Sequence, residues 1–370
     1  MTMPVRSPDD IRAIAKRRVP RMLFDYVEGS AGTEDTDRWN REDMRAVRLP
    51  QRVMRDVSGV FIETEIMGVR QAQPVVLGPV GMAGLLSRRG EIAAARAAKA
   101  AGVPFCLSMM SVCSIEEIAA SVGPGFWFQL YMLRDRAFVA DLLARARAAG
   151  CAVLVLTVDL PMPGLRYRDY KTGLVAPSGL RGRLIRGWLA AQRPGWLWNV
   201  GVCGRPHSLG NLAPVMRDGK AMGGVVEWIA ANYDPSIDWS DLAFLRDHWD
   251  GPLIVKGIMH PADAEVAREA GADAVLVSNH GGRQLDGAGS TASMLPSIRE
   301  RVGADFPVFV DGGARTGTDV LRFMTLGADA VWLGRAWAYA LAAGGEAGVA
   351  MLLQRIATEL RIAKALSGAA

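Results

Sequence analysis

Eight short apolar runs of strand length recur between residues 74 and 335, most of them separated by segments whose apolar residues return at every third or fourth position. They are PVVLG (74–78), PFCLSM (104–109), FWFQLY (126–131), AVLVLTVD (152–159), PLIVKG (252–257), AVLVSN (274–279), PVFVDG (307–312) and AVWLGR (330–335). Runs this apolar suit parallel strands covered on both faces. The segments between them, such as GEIAAARAAKAAG, AFVADLLARARAAG, PADAEVAREAG and GTDVLRFMTLG, end on Gly where a helix should stop. Eight β/α units in one row close into a barrel more readily than they open into a doubly wound sheet. The sequence therefore predicts an α/β fold, a (β/α)8 TIM barrel.

Two regions fall outside the pattern. Residues 1–73 read as an N-terminal helical cap whose first helix is DDIRAIAKRRV, and residues 160–240 form an insertion after the fourth strand. Residues 1–370 are thus expected to form one domain, with the barrel at 74–370. The insertion leaves the C-terminal end of a strand, the face on which such barrels build their sites, so it should border the pocket.

Composition narrows the classes. Cys106, Cys113, Cys151 and Cys203 have no CxxC spacing and read as buried thiols of a reducing compartment, with no metal site expected. The N-terminus is charged where a signal peptide needs an apolar stretch, and no later run reaches the length of a membrane span, so a cytoplasmic protein is expected. The net charge of +5 comes from scattered arginines rather than a run, which gives no footing for nucleic-acid binding.

The strand ends hold the chemistry. Strand one runs into Pro79, Val80 and Gly81; strand two reaches Ser108; strand three carries Gln129 and Tyr131; strand four carries Thr157 and Asp159. Strand five ends at Lys256, strand six at Ser278 and His280, strand seven at Asp311, and strand eight at Gly334 and Arg335. Lysine is scarce, six residues against 37 arginines, and a lysine at the end of an apolar strand either reaches out to solvent or pairs with an anion. Asp311, Gly312, Gly313 and Arg315, with Gly334 and Arg335, follow strands seven and eight, where these barrels hold phosphate. Backbone N–H groups together with Arg335 would hold one phosphate monoester.

The sharpest signal is SNHGGRQLDG, residues 278–287. His280 leaves a buried strand, two glycines let the chain turn, and Arg283 follows on the same loop. One can act as general base while the other clamps a carboxylate. Asp159 would be costly to bury alone, and pairing with an imidazolium gives it a reason. His207, His248 and His260 are expected to be structural.

These residues resemble the FMN-dependent L-2-hydroxy acid dehydrogenase and oxidase family. The resemblance runs from FDYVEGSAG (24–32) to WLGRAWAYALAAGG (332–345), and GPVGMAGLLSRRGE, VDLPMPGLRYRD and GRPHSLGN look most like its bacterial quinone-linked L-lactate dehydrogenase branch. It implies oxidation of an L-2-hydroxy acid, first of all L-lactate, with electrons passed to a membrane quinone. The alternatives are L-mandelate or another 2-hydroxy acid as substrate, or O2 as acceptor. By this resemblance His280 takes the hydroxyl proton, Asp159 supports it, Arg166 and Arg283 hold the substrate carboxylate, and Tyr26 and Tyr131 hydrogen-bond the carboxylate and the hydroxyl. FMN would contact Pro79, Val80, Gly81, Ser108, Gln129, Thr157, Lys256, Ser278, Asp311, Gly312, Gly313, Arg315, Gly334 and Arg335. Without the family, Tyr26 reads as a buried aromatic of the cap. Met110 falls at a pocket position that varies among members. The family also implies a homo-tetramer.

Residues 178–220 set Arg181, Arg183, Arg186, Arg193, Arg205, Arg217 and Lys220 against the single acid Asp218 and interleave Trp188, Trp196 and Trp198. Basic residues near anionic lipid contribute about 1 kcal/mol each and indoles favour the interfacial layer. The expectation is peripheral attachment to the cytoplasmic face of the inner membrane. The alternative is a solvated basic loop whose tryptophans pack on the barrel.

Overall fold

The expected barrel closes. The computed structural model describes residues 6–172, 180–216 and 225–368. Its strands are β1 (Thr64–Ile66), β2 (Val69–Gln71), β3 (Val75–Leu77), β4 (Cys106–Ser108), β5 (Trp127–Leu130), β6 (Val153–Thr157), β7 (Leu253–Ile258), β8 (Ala274–Val277), β9 (Val308–Val310) and β10 (Ala330–Leu333). Strands β3 to β10 form one parallel sheet in which β10 returns to β3. A parallel bridge between Leu77 and Phe105 ties β3 to β4 and completes the ring.

Strand pleat separates two cores. Val76, Cys106, Trp127, Val155, Ile254, Leu276, Phe309 and Trp332 pack together inside the barrel, while their neighbours Leu77, Leu107, Phe128, Leu156, Val255, Val277, Val310 and Leu333 belong to the larger core outside, beneath the helices. Alternation of side chains along a strand requires this division. Trp332 fills much of the interior, its ring lying 5.4 Å from Trp127 and 6.2 Å from Phe309.

The cap departs in part from the expectation of a helical segment to residue 73. Helices α1 (Pro8–Arg18), α2 (Arg21–Glu28) and α3 (Asp35–Ala46) are present, the first opened by a Ser7 capping box with proline in its first turn. Its last part is instead the β1–β2 hairpin, which turns at Met67 and Gly68 with φ of 50° and 76°. Two successive positive φ values make the two-residue turn that matches strand twist. The hairpin delivers Ile66 into the interior core, as a plug beneath the barrel.

Cap and barrel are joined by a reciprocal amide pair. Asn40 Nδ2 donates to Asn279 Oδ1, and Asn279 Nδ2 donates to Asn40 Oδ1, both at 2.9 Å and buried. Asn40 Oδ1 also accepts from Thr291 N at 3.1 Å, and Asn279 Oδ1 from Gly282 N at 3.1 Å.

The insertion contributes helices Tyr167–Lys171, Leu180–Ala191 and Val225–Asn232 with short helical turns between, and helix Asp241–His248 follows it. Its tryptophans divide between the two expectations. Trp196 packs inward and donates to the Leu85 carbonyl at 2.7 Å, whereas Trp188 and Trp198 are 68% and 67% exposed. Leu184, Ile185, Leu197 and Val202 are exposed with them. Arg217, Asp218 and Lys220, and the side chains of Arg181, Arg183 and Arg186, lie outside the described residues. Helix Arg335–Ser367 is long and apolar enough to cross a bilayer, but two-thirds (67%) of its apolar window is buried and it breaks at Gly345, which marks a core helix.

The amide pair makes a measurable link. Asn40→Leu leaves one Nδ2 hydrogen of Asn279 and the buried N–H of Thr291 without an acceptor, and an unsatisfied buried polar group costs about 1–3 kcal/mol. Urea unfolding should show a loss of that size, and at least as large a loss in Asn40→Asp, which keeps the acceptor but sets a buried carboxylate oxygen against Asn279 Oδ1.

Candidate active site

The polar residues at the strand ends continue the inward register of the interior core. Ser108, Gln129, Thr157, Lys256, Ser278 and Asp311 each follow by two residues an inward side chain, namely Cys106, Trp127, Val155, Ile254, Leu276 and Phe309. Period two therefore turns all six into the C-terminal mouth. Lys256 is 4% exposed. Its ammonium donates to Ser278 Oγ at 2.7 Å and lies 3.6 Å from Asp159 Oδ2 and 3.5 Å from Asp311 Oδ2. Burial alone would lower the Lys256 pKa, but the two carboxylates outweigh it and raise it, so the lysine stays charged.

Asp159 also accepts from His280. The Nδ1 to Oδ1 distance is 2.8 Å, which leaves Nε2 as the other ring nitrogen. Burial would raise the Asp159 pKa; the charges of His280 and Lys256 bring it below the usual carboxylate value. Gly257 makes this approach possible. Its φ is 111°, and a Cβ there would stand 2.7 Å from Asp159 Cβ.

His280 sits in the left-handed region, followed by Gly281 and Gly282, with φ of 57°, 66° and 73°. Such a backbone is uncommon for a residue with a side chain and recurs at functional sites. It is held by Ser278 Oγ, which accepts from His280 N at 3.1 Å, and by the Asn279 amide. At Gly282 a Cβ would meet Asp37 N at 2.6 Å, so glycine lets the cap close on the loop. The His280 pKa is lowered. Burial is the main cause, and the charges of Lys256 and Arg283 add to it against the pull of Asp159.

Arg283, Arg166, Tyr26 and Tyr131 line the same cavity as His280 and Lys256. Arg283 donates through Nη1 to the carbonyls of Tyr26 at 2.6 Å and Gly29 at 2.7 Å, and its guanidinium lies 5.0 Å from the Tyr26 ring centroid. Burial and the charge of Arg166 push its pKa down to about 9. That shift reflects a cation with no carboxylate of its own among the described residues. Arg166 is held by Asp169 at 3.2 Å, an acid that is itself 4% exposed and whose pKa burial raises.

Of the expected cofactor residues, Pro79, Val80, Gly81, Ser108, Thr157, Lys256, Asp311, Gly312, Gly313, Arg315, Gly334 and Arg335 line this cavity. Gln129 and Ser278 stand behind it, bonded to Ser108 and Lys256 respectively. Met110 is buried in the wall. The Arg335 side chain does more than the sequence suggests. Its five donors reach Val27 O, Gly29 O, Ser30 Oγ, Asp37 Oδ1 and Gly281 O, so in this arrangement it clasps the cap to the His280 loop. Arg315 pairs with no carboxylate among the described residues. The other histidines bond to backbone: His207 and His248 to carbonyls at 2.8 Å, and His260 from Ala262 N at 3.2 Å.

Sequence reasoning missed Asp169 and Tyr233. Asp169 stands three residues after Arg166, a spacing that pairs charges across a helical turn, and could have been found. Tyr233 lies at the far end of the insertion, where no periodic signal points to the pocket.

Residues 15–370 match the family described as FMN-dependent dehydrogenase. The chain is 54% identical over 366 residues to a protein of Caulobacter vibrioides named L-lactate dehydrogenase, covering 99% of this chain and 95% of that one. It is 49% identical over 367 residues to the protein of that name from Yersinia pestis, covering 99% and 96%. Among solved structures, a monotopic membrane protein, (S)-mandelate dehydrogenase, superposes with a TM-score of 0.92 at 34% identity, covering 99% and 96%. A mandelate oxidase with (S)-4-hydroxymandelic acid gives 0.85 at 38% identity, covering 98% and 95%.

The lowered His280 pKa fixes the sign of a pH effect. A depressed value keeps the imidazole neutral into mild acid, so the acid limb of kcat/KM should fall below the ordinary value of 6.5. Asp159→Asn removes the carboxylate that opposes the depression. The limb should move further toward acid while kcat drops, because the imidazolium loses its counter-charge; an unmoved limb would show that the dyad does not govern the step.

Proposed function

The chain belongs to the FMN-dependent dehydrogenase family, matched over residues 15–370, and from that footing we propose that it oxidises L-lactate to pyruvate. The observation that carries the reading is the His280–Asp159 pair, at 2.8 Å, facing a cavity whose arginines exceed its carboxylates. A site with a base and unbalanced guanidinium charge suits a small 2-hydroxy carboxylate. L-lactate is favoured over L-mandelate because the relatives named for lactate share 54% and 49% identity, against 34% and 38% for the solved mandelate enzymes.

FMN fits the residues present. Thr157 Oγ1, on the cavity floor beside Lys256, and Gln129 Nε2, behind Ser108, are buried without a protein partner among the described residues, and a polar ring edge bound on that floor would answer them. A Cβ at Gly334 would meet nothing within 4 Å, so open volume remains in the cavity that Gly312, Gly313 and Arg315 also line. Lys256, Gln129, Thr157 and Ser108 would hold the ring, with Ser278 behind Lys256 and the 79–81 backbone alongside. Asp311 would hold the sugar alcohol chain, and Gly312, Gly313, Arg315, Gly334 and Arg335 the phosphate, Arg335 by its charge and backbone N–H. When bound, FMN supplies the two-electron acceptor.

The chain's own residues do the rest. Arg283 and Arg166 take the substrate carboxylate, Arg166 already oriented by Asp169. Tyr26 and Tyr131 donate to the carboxylate and the hydroxyl. As the α-carbon gives up two electrons and its hydrogen, His280 Nε2 takes the hydroxyl proton, and the C–O bond becomes a carbonyl. Asp159 stabilises the imidazolium formed.

The electron acceptor in this reading is a membrane quinone reached from the cytoplasmic face, with O2 use as the alternative. Exposed Trp188, Trp198, Leu184 and Ile185 on the insertion support peripheral attachment. Exposed Val53, Met54, Phe61, Ile362 and Leu366 offer apolar surface for the homo-tetramer that the resemblance implies.

Two measurements test this. Anaerobic L-lactate should bleach the flavin absorbance of the holoenzyme, and His280→Ala should keep the absorbance but slow bleaching by roughly 10²–10⁴-fold; fast bleaching in the variant would remove His280 from the step. The full chain should sediment with phosphatidylglycerol vesicles and less with phosphatidylcholine, and Trp188→Ser combined with Trp198→Ser should abolish it. Equal binding to both lipids would defeat the electrostatic part.

A further inference from the structure

The insertion returns to the barrel through a residue that the lactate mechanism leaves unused. Tyr233 follows helix Val225–Asn232 and lines the substrate cavity at 4% exposure. Its ring lies 5.0 Å from that of Tyr131, with interplanar tilt of 31°, and Trp228 meets it edge-on at 6.4 Å. Its hydroxyl is buried and has no protein partner among the described residues. Burial raises its pKa well above the usual tyrosine value, with the neighbouring Tyr131 and Tyr26 adding to the shift, so the phenol is a neutral donor.

Tyr233 is held there firmly. An antiparallel bridge pairs it with Leu133, Arg134 N donates to Asn232 O at 2.9 Å, and Asp234 N donates to Met132 O at 3.2 Å. Arg136 then clamps Asp234 and Asp241, each at 2.8 Å. Residues 131–136, which carry Tyr131 out of β5, and residues 232–241, which carry Tyr233 out of the insertion, are thus stitched side by side. The two phenol rings face each other as a fixed pair rather than as a loop resting on a site.

We propose that Tyr233 determines substrate size: with Met110, Leu160 and Ile229 it closes the end of the cavity that receives the substituent on the α-carbon, leaving room for a methyl group and excluding a phenyl ring. All four line the cavity, and three are aliphatic or thioether side chains that offer no polar contact to a substituent. The remaining apolar lining, chiefly Val27, Pro79, Val80, Met82, Trp332 and Leu333, comes from the cap and from the chain around β3 and β10, beside the residues assigned to FMN. A rigid aromatic wall rejects a larger substrate sterically, whereas flexible Met110 beside it can yield. The inference rests on the L-lactate reading.

The test compares kcat/KM for L-lactate, L-2-hydroxyhexanoate and L-mandelate in the holoenzyme with an artificial soluble acceptor. Tyr233→Ala should lower the lactate-to-mandelate ratio at least tenfold and raise 2-hydroxyhexanoate turnover; contacts of this size discriminate by roughly 10–200-fold. Tyr233→Phe keeps the wall and should hold the ratio within twofold. A shift in Tyr233→Phe as large as in Tyr233→Ala would assign selection to the hydroxyl and overturn the steric account, as would an unchanged ratio in Tyr233→Ala. Where Tyr233→Ala fails to load FMN, Tyr233→Leu gives the same comparison with a shorter wall. A wild-type protein that prefers mandelate would sink the lactate reading before any variant is measured, which keeps the two failures apart.

Discussion

The site depends on burying one ammonium group. Lys256 stands 4% exposed at the top of a closed parallel barrel, where desolvation strongly disfavours a charge. Two carboxylates and a hydroxyl answer it: Asp159, Asp311 and Ser278. Because Asp159 is held ionised by the lysine, it can accept from His280 Nδ1 and so fix the ring tautomer. The same ammonium lowers the affinity of His280 for a proton. One cation thereby supplies a charged floor and an ionised carboxylate beside His280, and it adds to the burial that lowers the imidazole's affinity for a proton. Removing Lys256 would leave two buried carboxylates without their shared counter-charge, so the cluster acts as a unit.

Above this floor the balance is reversed. Among the described residues Arg283 and Arg315 pair with no carboxylate, and Arg166 is held by Asp169. Arginine cannot relieve burial by losing its proton in the way lysine can. The surplus persists because the cap supplies carbonyl oxygens from Tyr26 and Gly29, and because an anionic substrate and a phosphate would complete it. The cap is therefore part of the site rather than a cover. Arg335 and the Asn40–Asn279 pair bind it to the loop that holds His280 in its left-handed turn.

The barrel was legible because its strands are apolar through and through and its helices carry a clear period. The strand-end residues were legible for the same reason, since a polar side chain closing an apolar run has few places to go. The tight hairpin at Met67–Gly68 was not. Its strands are three residues long, too short for an alternation to register, and they were absorbed into a cap read as helical. The five-way bonding of Arg335 was equally hidden, because its partners come from residues 27–37 and 281, which only the closed fold brings together. Asp169 was within reach of the sequence through its spacing from Arg166.

Tyr233 shows why the insertion resisted reading. Strand register dictates where Lys256 and Asp311 point, but the insertion leaves the register after β6 and regains it only at β7, so nothing periodic links its residues to the cavity. Its position is set by pairing with the chain beyond β5 and by the Arg136 clamp. This arrangement separates two tasks physically. The His280–Asp159 pair and the charged floor are fixed by the barrel, which tolerates little change, whereas Tyr233, the wall proposed for the substrate's side chain, hangs from a segment outside it. The segment also carries exposed Trp188 and Trp198 at its other end. A chain built this way can alter what it admits, or the surface it sits on, without moving His280 relative to Asp159, because among the described residues neither partner makes a hydrogen bond to residues 160–240.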